Sequence, residues 1–212
     1  MKWKGRRTSG NVQDRRRMSG KGGIGIVGLL VGSVFIYMAG GNPLSFLLQN
    51  AGTLQTGQTG APVVSEAHDD QLKEFSSVVL ADTEDVWNKI FNSKGARYIE
   101  PQMVLFRNRV QSACGAASSA SGPFYCPGDS KIYLDLSFFN ELDKSLGAGG
   151  DFARAYVIAH EVGHHVQNIT GVNKKSRQLQ GRASATDRNR ISVIVELQAD
   201  CFAGMWARDR KS

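Results

Sequence analysis

Apolar residues in the first folded stretch recur at spacings of three, four and seven: Leu72, Phe75, Val79, Val86, Trp87, Ile90 and Phe91. That period predicts an amphipathic helix from about residue 65 to 93, with Ser65 and Asp69 or Asp70 available at its start and Gly95 past its end. After Pro101 the short run Met103–Phe106 reads as a strand. Lys131–Leu136 alternates, with Ile132, Leu134 and Leu136 on one side and Tyr133 and Asp135 on the other, which predicts a half-buried strand. A second helix is expected from Asp151, with Gly171 as its stop. A third is expected through RISVIVELQADCFAGMWA, capped by Thr186 or Asp187. Residues 173–188 are polar and read as a surface connection.

Ile24–Gly41 contains no charged residue, and its 18 residues are near the minimum that crosses a hydrocarbon core of about 30 Å. Residues 1–23 carry eight Lys and Arg against one Asp, and so account for the whole net charge of +7. The remainder is neutral, so no basic stripe is indicated and no nucleic-acid partner is expected. The positive-inside tendency assigns 1–23 as a basic cytoplasmic segment, 24–41 as a single transmembrane anchor and 42–64 as a flexible linker. The domain at 65–212 then lies outside the cytoplasm. A cleaved signal peptide is the competing reading, since Ala39, Gly40 and Gly41 supply small residues for cleavage. Cys114 and Cys126 bracket a Gly- and Ser-rich loop and fit a disulfide in an oxidising compartment, in preference to a Cys metal pair. Cys201 is read as a small buried hydrophobe.

Chemistry concentrates at His160-Glu161-Val162-Gly163-His164. Four residues turn a helix by about 400°, so both imidazoles project from nearly one line and can reach one ion. Imidazole suits Zn²⁺, and Glu161 beside the pair is placed to take a proton from a zinc-bound water. In the following helix Glu196 and Asp200 are again four apart, among Val193, Ile194, Val195, Leu197 and Phe202. Carboxylates on an apolar helix need partners. Zinc for Glu196 and a ligand histidine N–H for Asp200 supply them. His165, rotated about 100° from His164, is read as packing or support, and His68 as a surface residue.

The segments MKWKGRR, CGAASSASGPFYCPGDSKIYLD, HEVGHHVQNITG and ELQADCFAGMWA together resemble the YpfJ-like neutral zinc metallopeptidase family of bacteria. H-E-x-x-H followed by E-x-x-x-D is similar to the gluzincin arrangement. The resemblance implies an α+β fold: a mainly helical zincin-like domain with a small sheet, preceded by one transmembrane helix. It also implies His160, His164 and Glu196 as zinc ligands, Glu161 as general base, Asp200 as orienter of a ligand histidine, and a peptide or protein as substrate. The family pattern runs several tens of residues past the Ala-Asp-Cys-Phe-Ala-Gly segment, so the domain is expected to be incomplete at its C-terminal side, and no oxyanion donor is assigned. The strand at Ile132–Leu136 is a candidate for binding extended peptide by edge addition. Two rivals use the same residues: a binding or scaffold protein with a structural zinc, and a zinc amidase acting on a cell-wall component.

Overall fold

The structure, a computed structural model, describes residues 1–17, 66–146 and 150–210. Its elements are β1 (Val12–Asp14), α1 (Glu66–Ser93), β2 (Gln102–Phe106), β3 (Arg109–Ser112), β4 (Gly115–Ser118), β5 (Phe124–Cys126), β6 (Lys131–Asp135), α2 (Ser137–Leu146), α3 (Asp151–Ile169), α4 (Val172–Gln180) and α5 (Ala185–Asp209). The fold is α+β. The sheet order is β1-β2-β6-β5, with β1, β2 and β6 parallel and β5 antiparallel to β6, and β3 and β4 form a separate hairpin.

The predicted helix at 65–93 forms as α1, and it ends where Gly95 enters the left-handed region at φ 69° and its N–H reaches the Asn92 carbonyl. Leu72, Phe75, Val79 and Trp87 of α1 pack with Met103, Leu105, Ile132 and Leu134 of the sheet and with Ile158, Val162 and Val166 of α3 in one core. Strand β6 is not half-buried. It lies between β2 and β5, and its other face is covered as well: Tyr133 packs with Val104, Phe106 and Cys126, and its ring stacks on Phe124. Both of its edges are taken, which withdraws Ile132–Leu136 as a site of edge addition. The terminal strand on that side is β5.

The fold expectation needs one correction. Among the described residues no helix is long and apolar enough to cross a membrane, so the transmembrane helix is not part of the fold that is seen, and the span 24–41 lies outside those residues. Residues 1–17, read from composition as a membrane flank, instead pack on the domain. Val12–Asp14 pairs with Met103–Leu105, Trp3 is buried edge-on to Phe75, and the Trp3 indole N–H donates to Asp151. Their cations meet acids of α1, with Arg6 at 2.6 Å from Asp82 and Arg7 at 3.1 Å from Glu84.

Three local expectations also change. Residues 173–188 are not a plain connection but contain α4 and the start of α5, whose cap is Ser184 accepting from the Asp187 N–H rather than Thr186 or Asp187. The apolar residues around Glu196 do not make a buried face, since Val193, Ile194 and Leu197 are more than half exposed. Cys201 is exposed.

Candidate metal centre

Helix α3 carries His160 and His164 one turn apart, and their ring centroids lie 4.7 Å apart at an interplanar angle of 90°. Helix α5 runs alongside and brings Glu196 to both: its Oε2 is 3.3 Å from the Nε2 of His160 and 3.3 Å from the Nε2 of His164. The three donor atoms all lie within 4.8 Å of one another, a grouping that could hold a metal ion. The distance discriminates between two readings of this contact. Charge-assisted N–H···O bonds ordinarily measure about 2.7–2.9 Å. Donors about 2.0–2.1 Å from one tetrahedral ion, by contrast, are separated by about 3.3 Å.

The other ring nitrogens are tied off. His160 Nδ1 lies 2.9 Å from Asp200 Oδ1, and a carboxylate there requires Nδ1 to carry the proton. His164 Nδ1 lies 2.9 Å from Gln167 Oε1. The Gln167 amide N–H₂ is spent on the Val195 carbonyl at 2.6 Å and on Gln198 Oε1 at 3.1 Å, so its oxygen faces His164 and Nδ1 is again the donor. Both Nε2 lone pairs consequently face Glu196. Asp200, half exposed, gains a second partner in the Tyr156 hydroxyl at 3.2 Å.

The two helices touch at Gly163, where a Cβ would lie 2.8 Å from the Ala199 carbonyl oxygen. Only a residue without a side chain permits this approach, and Ala199 lies between Glu196 and Asp200 on the same helix. The glycine inside H-E-x-x-H is therefore part of the site.

Glu161 is buried, and that burial pushes its carboxyl up to about 7; the charge of Glu196 adds to the rise, while His164 and a backbone hydrogen bond from Tyr125 oppose it. The site opens into a cleft of about 440 Å³. Its floor is His160, Glu161 and His164, one wall is strand β5 with its flanking prolines, and the other is α4.

The structure thus brings His160, His164, Glu161, Glu196 and Asp200 to one place, and puts the Cys114–Cys126 disulfide at the C-terminal end of β5. His68 and Cys201 take no part in the cluster. His165 is fully buried: its Nε2 donates to the Ile99 carbonyl at 2.6 Å, and its Nδ1 accepts from the Tyr125 hydroxyl at 3.1 Å. Burial lowers its pKa and keeps it neutral. Sequence reasoning missed Gln167 and Tyr125. Gln167 had a signal, since it sits three residues after His164 on the same helical face. Tyr125 had none, because β5 reaches α3 only through the tertiary fold.

The family model described as "Putative neutral zinc metallopeptidase" matches residues 1–212. The uncharacterized protein YpfJ of Escherichia coli (strain K12) is 45% identical over 217 residues, covering 97% of this chain and 74% of its own. The uncharacterized protein Rv2575 of Mycobacterium tuberculosis (strain H37Rv) is 50% identical over 112 residues, covering 52% of this chain and 36% of its own. No solved structure matches the chain.

Proposed function

The chain belongs to the neutral zinc metallopeptidase family, and from that premise we propose that it is a zinc-dependent peptidase whose ion is held by His160, His164 and Glu196. One observation carries the reading: two imidazole Nε2 atoms, their protonated Nδ1 atoms already satisfied, each stand 3.3 Å from one carboxylate oxygen. A donor set of two His and one Glu is the three-ligand pattern of catalytic zinc, which leaves a coordination position free. Among the described residues no fourth donor joins the three, which favours this reading over a closed structural site. Zinc held there supplies Lewis acidity to a scissile carbonyl and makes water acidic enough to ionise near neutral pH.

The remaining steps belong to the chain. Glu161, buried on the cleft floor with its carboxyl pushed toward neutrality, removes the proton of the attacking water and returns one to the leaving amine. Asp200 and Gln167 hold the two rings in the Nδ1–H form, so that neither imidazole has to reorient during turnover. Among the described residues strand β5 ends the sheet beside the cleft, where an extended peptide adds backbone bonds to the groups that Glu161 does not hold. The Cys114–Cys126 bridge anchors the end of that strand and fits an oxidising compartment, which supports a location outside the cytoplasm.

Glu161→Gln is the direct test. The variant is expected to bind zinc as the parent does and to lose peptide cleavage by about 10²- to 10⁴-fold. Cleavage at the parent rate removes Glu161 as the base, and failure of the parent chain to bind zinc removes the reading altogether.

A further inference from the structure

The outer wall of the cleft suggests which peptides fit. Helix α4 contributes Asn173, Ser176 and Arg177, which at spacings of three and four share one helical face and line the cleft with the metal cluster. Arg177 is the one Lys or Arg among those lining residues. It makes no ion pair and no side-chain hydrogen bond among the described residues. Its own segment offers no acid either: residues 171–186 contain Lys174, Lys175, Arg177 and Arg182 and no Asp or Glu. The facing wall, Pro123 to Tyr125 with Pro127, is uncharged. A run of cations is most often a solvated face, and Lys174 and Lys175 are exposed in that way. Arg177 is exposed as well, but unlike the two lysines it lines the cleft with the metal cluster.

The two acids in the cleft, Glu161 and Glu196, do not satisfy Arg177. Both stand at the metal cluster, where a bound divalent cation offsets them and leaves the arginine charge over. We propose that Arg177 with Ser176 forms a carboxylate-recognising subsite beside the metal cluster, and that the preferred substrates carry an acidic residue near the bond to be cut. This rests on the peptidase reading of the site. A guanidinium presents a planar fork that matches a carboxylate in bidentate geometry, and a hydroxyl next to it supplies a further donor. The remaining cations of α4 and its C-terminal loop extend the same field outward and favour capture of anionic peptides at low salt. The carboxylate comes from an internal Asp or Glu side chain, or from a free C-terminus lying in the same place.

Acetylated and amidated fluorogenic peptides with Glu, Gln or Lys scanned around the cleavage position test this on the zinc-loaded chain, together with acid-free peptides that keep a free C-terminus. The best Glu peptide is expected to exceed its Gln counterpart in kcat/KM by roughly fivefold to tenfold, through KM, with the margin shrinking as salt rises. Arg177→Gln removes that margin and Arg177→Glu turns the preference toward Lys. Arg182→Gln, at a residue outside the cleft lining, weakens only the outer field and keeps most of the margin. A preference for free C-termini over internal Glu, lost equally in Arg177→Gln, assigns the same subsite to the terminal carboxylate. Equal rates for Glu, Gln and Lys overturn the proposal, as does an Arg182→Gln effect equal to that of Arg177→Gln. If no peptide is cleaved, the peptidase reading falls by itself. The same peptides are then titrated against the zinc-loaded chain by fluorescence anisotropy, where Arg177-dependent tighter binding of the Glu series upholds the subsite and uniform binding removes it.

Discussion

Replacing Gly163 by alanine adds one methyl group where α3 and α5 approach backbone to backbone. That Cβ would sit 2.8 Å from the Ala199 carbonyl oxygen and 3.1 Å from its Cα, both of them backbone atoms that cannot swing aside. Ordinary contact begins at 3.4 Å, so α5 must recede by about 0.6 Å or tilt by an equivalent amount. For stability the effect is modest, because overpacking costs about 1–3 kcal/mol while alanine improves helix propensity by about 1 kcal/mol. For the metal cluster it is severe. Metal–ligand distances tolerate only about 0.2 Å, and Glu196 and Asp200 flank Ala199 on the helix that moves. Gly163→Ala is therefore expected to fold, with urea stability lowered by about 0–2 kcal/mol, and to bind zinc about 10- to 100-fold more weakly. Chelator competition measures the affinity, and urea titration of the metal-free chain measures the fold. Unchanged zinc affinity in a folded Gly163→Ala chain would refute the claim that the helix contact sets the ligand geometry.

Gln167→Leu leaves His164 Nδ1 without its acceptor and removes the second donor to the Val195 carbonyl, and is expected to weaken zinc binding about 10- to 100-fold, whereas Gln167→Glu keeps the acceptor and recovers part of the loss; equal effects in a chelator titration would contradict the assigned role. The Glu161 carboxyl, raised by burial from 4.5 to about 7, binds its proton more tightly in the folded than in the unfolded chain. The stability it contributes is complete below about pH 4.5 and is lost as pH rises to 7, on the order of 3 kcal/mol in the metal-free chain. Glu161→Gln should remove that slope from the difference between two sets of urea curves, and parallel pH profiles would count against the shift. Trp3→Ala empties a buried site against Phe75 and removes the donor to Asp151, so melting should report a loss of about 3–5 kcal/mol; a loss below 1 kcal/mol would show that residues 1–17 do not dock.

What the sequence made legible was local. H-E-x-x-H declares itself because both imidazoles and the base lie within five residues of one helix, and helical geometry then dictates the rest. Glu196 and Asp200 were readable for the same reason, as a pair four apart that needed partners. The residues that could not be read act across the chain. The acids that answer Arg6 and Arg7 lie on α1, some 75 residues away, so the N-terminal cations looked like the flank of an apolar span. Helix α4 carries only Val172 and Leu179 as apolar residues, too few to give a period, and its wall position depends on packing against α3 and α5. The faces of α5 were misjudged because hydrophobicity alone does not say whether a partner covers a helix. Val193, Ile194 and Leu197 are exposed while the burial falls on Ala199, Ala203 and Trp206.

The doubled histidine at 164–165 illustrates how one helix serves two ends of the same reaction. Successive residues differ by about 100°, so His164 faces Glu196 while His165 faces the sheet. There it accepts from the Tyr125 hydroxyl, which in turn accepts from the Asn168 amide, and it donates to the Ile99 carbonyl. These bonds fix β5 relative to α3. The backbone of that same Tyr125 hydrogen-bonds Glu161. The strand proposed to hold the substrate, the carboxylate proposed to take the proton and the imidazole proposed to bind zinc are thus registered to one another through a single tyrosine and two adjacent turns of helix. Any shift of β5 along α3 alters the environment of the base before it alters the metal ligands. Loosening the strand is accordingly expected to disturb turnover more than zinc affinity, the reverse of what loosening α5 at Gly163 would do.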